Sequence, residues 1–447
     1  MIDMSPELVT IVMFGLLIVF VLLGYPLAFV LGSIGLGVGF ITSGTPIFEI
    51  VYLRMYGSVT VYTFLAVPLF VFMGLMMERS GVSDGLFDAL HIWLGGFRGG
   101  LAIATVLIGT LLAATVGVIA ASVTMLGLIA MPAMLKRGYN KELACGAVCA
   151  GGSLGILIPP SVMLVLYGPM ANISVGKLFM AAFMPGFMLS ALYCTYIGIM
   201  SFLKPELAPA VALEERRVSF LKKSWMLVIS LVPPVILIVA VLGSIFLGIA
   251  APTEAAAVGA LASVLMCLGY RKLTFAKLKE AMLGTGRVTG MAFMVVIGAA
   301  IFTGVFIKLG GTDVVAGWIL AAPGGRWGPF ILIMFIAFIL GMFIDWIGII
   351  LVMIPIMAPV GAVLNFDPLW FAMMLVVNLQ LSFITPPLAY AIFFLQGTLK
   401  PEMEVTTMHI IKGVLPYIGL IAIGLLLMVK FPQIALWLPD KMIRKTW

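Results

Sequence analysis

Two short phrases hold most of the coordinating chemistry of this chain, and they stand 227 residues apart. The first runs Gly151-Gly152-Ser153-Leu154-Gly155-Ile156-Leu157-Ile158-Pro159-Pro160-Ser161. The second runs Asn378-Leu379-Gln380-Leu381-Ser382-Phe383-Ile384-Thr385-Pro386-Pro387-Leu388. Paired prolines forbid a continuous helix, since each ring removes an amide and clashes with the turn before it. The carbonyls so released are hard oxygen ligands for an alkali cation, and the helix N-terminus beyond the break attracts an anion. Ser153, Ser161, Ser382 and Thr385 add hydroxyls, while Asn378 and Gln380 are polar liners. Gly152 and Gly155 let another backbone approach closely. One such break alone reads as a kink. Two at matching positions point to the binding site of a secondary transporter.

Those phrases need elements to hold them. The chain has 447 residues, 63% hydrophobic and 10% charged, far more apolar than a soluble domain. Apolar runs of roughly 17–25 residues recur throughout, which describes an all-α polytopic membrane protein. The first ten residues carry no Lys or Arg, so 8–24 reads as a retained span and not a signal peptide. The net charge of +7 is the surplus of cytoplasmic loops in an inner-membrane protein, not a nucleic-acid surface. The four cysteines form no framework.

The 227-residue offset pairs more than the prolines: Pro132 with Pro359, and Gly138-Tyr139-Asn140 with Asn365-Phe366-Asp367. Shared punctuation with weak identity marks an ancient internal repeat. The first repeat, 1–203, has spans near 8–24, 27–43 and 61–79, a region at 101–136, a broken span at 142–170 and a last span at 178–203. The second, 225–447, has spans near 228–249, 254–270 and 288–307, a region at 328–361, a broken span at 369–396 and a last span at 413–430. A polar linker, 204–224, separates them. The regions 101–136 and 328–361 are too short for two full spans and a loop. Each reads as a re-entrant hairpin of two half-length helices, with tips near 115–122 and 341–348. Asp345 sits at the second tip, where an acid either holds a cation or proton or caps the following helix.

With about five spans plus a hairpin each, the halves have inverted topology. The positive-inside rule then puts the first hairpin mouth, flanked by Arg98 and Lys136 to Lys141, in the cytoplasm. That count leaves 17 of the 25 basic residues inside and both termini outside, with the basic tail Lys441 to Lys445 as its exception. Glu254 after Pro252-Thr253 reads as a helix start with Thr253 capping. Glu78-Arg79 reads as an interfacial pair. His91 and His409 are isolated, which excludes a zinc protease. No P-loop occurs, so the chain is no ATP-driven pump, and nothing marks it as an enzyme.

The residues 127–134 (Gly-Leu-Ile-Ala-Met-Pro-Ala-Met), Gly138-Tyr139, Gly152-Ser153-Leu154-Gly155 and Ile158-Pro159-Pro160-Ser161 resemble the large membrane subunit of tripartite ATP-independent periplasmic (TRAP) transporters. So do 341–359, Thr385-Pro386-Pro387 and Ala251-Pro252-Thr253-Glu254-Ala255. The resemblance implies a sodium-driven importer of organic acids in a bacterial inner membrane, with an elevator-type fold. It implies two partners, a small four-helix membrane subunit and a periplasmic solute-binding protein. Many members place a Gly-Ser-Ser run at the first tip. Here it is Gly117-Val118-Ile119-Ala120-Ala121, which leaves backbone carbonyls, Ser122 and Thr124 as ligands.

On that reading, a first Na+ site draws on Gly117, Ala121, Ser122, Thr124, Gly152, Ser153, Gly155 and Pro159. A second draws on Gly341, Asp345, Gly348, Ser382, Thr385 and Pro386. The organic anion lies between, near Ser161, Asn378, Gln380, Ser382 and Thr385. The mobile body comprises about 61–170 and 288–396, and amphipathic segments at 44–60, 81–97, 271–287 and 308–324 join it to the frame. The rival expectation is a stand-alone sodium- or proton-coupled di- or tricarboxylate symporter of similar build.

Overall fold

The computed structural model describes residues 3–117, 119–210, 219–387 and 389–442, all helix, turn and loop. The first repeat comprises α1 (Pro6–Leu22), α2 (Leu27–Ser43), α3 (Ile47–Val59), α4 (Ala66–Arg79), α5 (Val82–Leu94), α6 (Gly100–Val116), α7 (Ile119–Lys136), α8 (Lys141–Ser153), α9 (Val162–Ala171) and α10 (Val175–Leu203). The second comprises α11 (Phe220–Phe246), α12 (Pro252–Gly269), α13 (Phe275–Lys308), α14 (Gly311–Leu320), α15 (Trp327–Gly341), α16 (Trp346–Val363), α17 (Pro368–Ile384), α18 (Tyr390–Thr398), α19 (Thr407–Lys430) and α20 (Gln433–Asp440). Among the described residues, eight helices are long and apolar enough to cross a membrane.

The repeat is visible in the helix ends. Both ends of α7 and α16 are offset by 227 residues, as are the starts of α8 and α17. The last two begin alike for a local reason. Asn140 caps α8 by accepting from the Leu143 amide at 3.0 Å, and Asp367 caps α17 by accepting from the Leu369 and Trp370 amides at 2.9 Å. A short acceptor at the cap satisfies amides that have no helical partner.

Ion pairs fix the relative direction of the halves. Within one repeat, the broken pair α8–α9 crosses once before α10 starts, so α8 and α10 begin on opposite faces. The counterpart of α10 is α19. Yet α19 begins beside the start of α8, because Lys412 pairs with Glu142 at 3.8 Å. Lys141 also reaches Glu404, ahead of α19, at 3.6 Å. Equivalent helices therefore start on opposite faces, and the repeats are inverted. The Trp370 Nε1–H donates to the Met428 carbonyl at 2.9 Å, so α19 ends at the face where α17 begins. That settles the direction of the last span. The tail residues 443–447 lie outside the described residues.

Contacts between the halves are reciprocal. Helix α2 packs along α13 and α12 along α4, while α7 packs on α18 and α16 on α9. This exchange of equivalent partners is what two-fold packing demands. Small residues set the crossing of α2 and α13. A Cβ on Gly35 would sit 3.0 Å from the Phe302 backbone, and one on Gly298 would collide with the Ala28 carbonyl. Close backbone approach replaces the missing hydrophobic drive between helices in lipid.

Four sequence expectations change. A proline pair does not by itself break a helix, since α11 runs unbroken through Pro233 and Pro234. The segment 271–287 is not a separate arm, since α13 runs unbroken for 34 residues. The hairpin helices are longer than half-length, with 17 residues in α6 and 18 in α7. Thr253 does not cap α12. Glu254 does, accepting from the Ala251 amide at 2.8 Å, while the Thr253 hydroxyl has no partner. Replacing Gly298 by Leu should lower the thermal midpoint in detergent by an amount equivalent to about 1–3 kcal/mol of overpacking. Gly290→Leu on the same helix, where a Cβ meets nothing within 4 Å, should leave it unchanged.

Candidate functional site

The first break spans the end of α8, a 3-10 turn at Leu154–Ile156 and an irregular stretch up to Ser161, the residue before α9. The peptide between Pro159 and Pro160 is cis. Helix α6 ends at Gly117, which turns left-handed at φ 65°, a conformation cheap only without a Cβ. A Cβ there would lie 3.2 Å from the Pro160 carbonyl oxygen and 3.9 Å from the Ser161 Cα. The first tip is thus seated on the first break. Both hairpin helices also press on α8: Gly109 approaches the Gly151 backbone, and Gly152 approaches the Val123 backbone.

Hydroxyls at this break have different fates. Ser153 donates to the Ala150 carbonyl at 2.9 Å, and Ser161 donates to the Ile156 carbonyl. Ser122, fully buried, has no partner. Buried hydroxyls normally find one, so an orphan at a break needs an explanation. Thr124 and Ser122 lie to either side of Val123, about 100° apart from it on the helix. They therefore diverge, and one site cannot take both. Ala121 is half-buried, and Val118 lies outside the described residues.

The second break is shorter than the sequence phrase. Helix α17 continues to Ile384 and α18 starts at Tyr390, so among the described residues only 385–387 and 389 are irregular, with Pro386–Pro387 cis. Asn378, Gln380 and Ser382 are helical. Asn378 donates its amide to the Met334 carbonyl at 2.8 Å, and Ser382 its hydroxyl to the Phe338 carbonyl at 3.1 Å. Both tie α17 to α15, the first arm of the second hairpin. Gly341 ends that arm against Ser382, where a Cβ would sit 2.5 Å from the hydroxyl oxygen. Thr385 donates to the Leu381 carbonyl at 2.6 Å.

Gln380 points elsewhere. Two residues along a helix is about 200°, so it faces away from Asn378 and Ser382. It is completely buried and neither its amide nitrogen nor its oxygen has a partner. Asp345 caps α16, its carboxylate accepting from the Ile347 amide at 3.4 Å, and lies within electrostatic reach of Tyr390 at the head of α18. Sequence reasoning missed Tyr390, because nothing local ties it to the second tip. Gly348 packs elsewhere, on the Leu27 side chain of α2.

Four helices, α7, α9, α16 and α18, start at these tips and breaks. Asp345 occupies the N-terminus of α16, whereas α9 and α18 have no side-chain cap. Free amides at a helix start are a ready anion site. The arrangement joins carbonyl ends and orphaned hydroxyl and amide groups, suited to a cation, with uncapped helix starts, suited to an anion.

The sequence pattern of the tripartite ATP-independent periplasmic transporter DctM component matches residues 14–434. This chain belongs to that family. It is 33% identical over 381 residues to the C4-dicarboxylate TRAP transporter large permease protein DctM of Pseudomonas aeruginosa, covering 85% of this chain and 86% of the relative. It is 30% identical over 422 residues to the sialic acid TRAP transporter large permease protein SiaM of Vibrio cholerae, covering 93% and 95%. In fold it is similar to the solved Alcanivorax borkumensis YdaH transporter, with TM-score 0.62 and 15% identity over 95% of this chain and 98% of the other. The protein is a TRAP permease subunit of the bacterial inner membrane, not an enzyme. The family's tripartite build brings a small membrane subunit and a periplasmic binding protein.

Gln380→Met separates the roles of the orphaned amide. Removing an unsatisfied buried amide should hold or raise the thermal midpoint, while uptake by the permease should fall at least tenfold. A lower midpoint with normal uptake would make Gln380 a packing residue.

Proposed function

We propose that this permease imports an organic acid anion, driven by sodium and delivered by the periplasmic binding protein, through an elevator movement. The observation that carries the reading is the seating of each hairpin on a broken span: Gly117 on the first break itself, at Pro160 and Ser161, and Gly341 on helical Ser382 in the last turn before the second break. Non-helical backbone at membrane depth survives only where protein buries it or a cavity wets it. Here the exposed carbonyls would take Na+, with Ser122 completing the first site and Ser382, Thr385 and Asp345 the second. Thr124 and Gly348 are left out, because their helix faces point away.

The anion would lie between the uncapped starts of α9 and α18, with Gln380 as a polar liner. Carboxylate-bearing substrates are supported by the relatives named for C4-dicarboxylate and sialic acid. One net charge falling through about 100 mV releases roughly 2.3 kcal/mol, close to fifty-fold accumulation. Two or three sodium ions per monoanion would carry at least that charge.

Packing also moves the boundary of the mobile body. The sequence placed α4 and the membrane part of α13 within it, and α10 and α19 in the frame. Yet α4 and α13 lie along α12 and α2, whereas α19 packs on α8 and α10 on α6 and α17. We therefore assign α6–α10 and α15–α19 to the moving part, and α1–α4 and α11–α13 to the frame. The short helices α5 and α14 are the connecting arms. Each follows a left-handed glycine, Gly81 at φ 78° and Gly310 at φ 76°.

Uptake in proteoliposomes containing the permease, its small subunit and a binding protein tests this. Uptake should require an inward sodium gradient and the binding protein. Uptake with no binding protein present would favour the stand-alone symporter. Ser382→Ala should raise the half-saturating sodium concentration several-fold. Asp345→Asn with intact transport and sodium dependence would reduce Asp345 to a helix cap.

A further inference from the structure

The two repeats close their hairpin mouths differently. At the first mouth the chain leaving α10 folds back over the entrance. The Gly99 amide donates to the Ala208 carbonyl at 3.1 Å, and the Asn140 amide to the Leu207 carbonyl at 2.8 Å. Ala208 is fully buried there. A short peptide segment thus plugs this mouth and satisfies two backbone donors.

The equivalent amides of the second repeat, 227 residues on, belong to Arg326 and Asp367. Among the described residues, neither amide donates to a carbonyl. The chain leaving α19 does not fold back. It forms α20, which packs along α10 and beside α17. Beside Asp367 this leaves an open cleft of about 1440 Å³, bounded by the turns before α10 and α12 and by Leu436 and Asp440 of α20. That volume exceeds the roughly 300–1,000 Å³ of small-molecule sites, so the cleft fits a polypeptide better than a solute. Among the described residues its charged lining is Glu254, Asp367, Asp440 and Lys177, all exposed. Three acids against one base call for a basic partner.

We infer that this cleft docks an extended, basic segment of the periplasmic binding protein. The inference rests on the transport reading, since the positive-inside rule sets this face outside. A partner carbonyl on the Asp367 amide would rebuild the bond that Leu207 makes to Asn140 at the other mouth. Asp367 is exposed, so a partner carbonyl there would replace water, as the Leu207 carbonyl does at Asn140. Basic side chains on the segment would pair with Asp440 and Glu254 at the rim.

The probe is the purified binding protein that supports uptake with this permease, and the readout is its affinity for the permease complex in nanodiscs. Asp440→Lys should weaken binding about tenfold near 20 mM salt, with a smaller loss near 300 mM as screening increases. Leu436→Trp, which narrows the cleft, should weaken binding at both salt concentrations. Neither residue belongs to the ion or anion sites, so uptake at saturating binding protein should persist. Unchanged affinity in both variants, with sodium-driven uptake intact, overturns the docking site and leaves the transport reading standing. If deletion of 443–447 alone alters affinity, the cleft belongs to the chain's own tail, and the inference is overturned. If the unaltered permease shows no uptake with any binding protein, the transport reading falls and the inference falls with it.

Discussion

A membrane interior offers no water to an exposed carbonyl, and that single fact organises this protein. The pairs Pro159-Pro160 and Pro386-Pro387 strip amides from spanning helices at a depth where the orphaned oxygens need protein or an ion beside them, whereas Pro233-Pro234 lies within unbroken α11. The fold supplies protein through the hairpins, whose tips reach back to the broken spans. Gly117 meets the first break at Pro160 and Ser161, and Gly341 meets Ser382 on the helix that leads into the second. Tip and break are one unit, since neither is tolerable in lipid without the other.

Inversion follows from the same requirement. Each hairpin's return helix packs on the post-break helix of the opposite repeat, α7 on α18 and α16 on α9. Two repeats running the same way would bring like ends together. Running opposite ways, they bring carbonyl-rich helix ends and amide-rich helix starts to one central region. On the proposed reading, cation and anion chemistry would meet there without a dense cluster of charged side chains. Asp345 is the acid that the second hairpin tip contributes, and it also caps a helix.

Departures from symmetry are as informative as the symmetry. Helix α13 is continuous where the first repeat divides into α3 and α4. The segment after α10 is a plug, whereas the segment after α19 is a helix. One hairpin mouth is consequently sealed by its own chain and the other stands open beside a cleft.

Much of this was legible in the residues themselves. The two breaks, the matching loops that end in Asn140 and Asp367, the hairpins and the inverted halves all follow from proline, glycine and charge placement. These are local or additive signals: a ring that removes a donor, a side chain that caps its own helix, a surplus of basic loops. What the tertiary structure alone decided is which way each helical face looks. Asn378 and Ser382 turn to α15 while Gln380 turns into the core; Gly348 meets Leu27 and not Ser382; Thr124 diverges from Ser122; α4 packs along α12 and α13 along α2. Those choices depend on partners up to hundreds of residues away, in a chain so uniformly apolar that hydrophobic periodicity does not distinguish a face turned to lipid from one turned to protein.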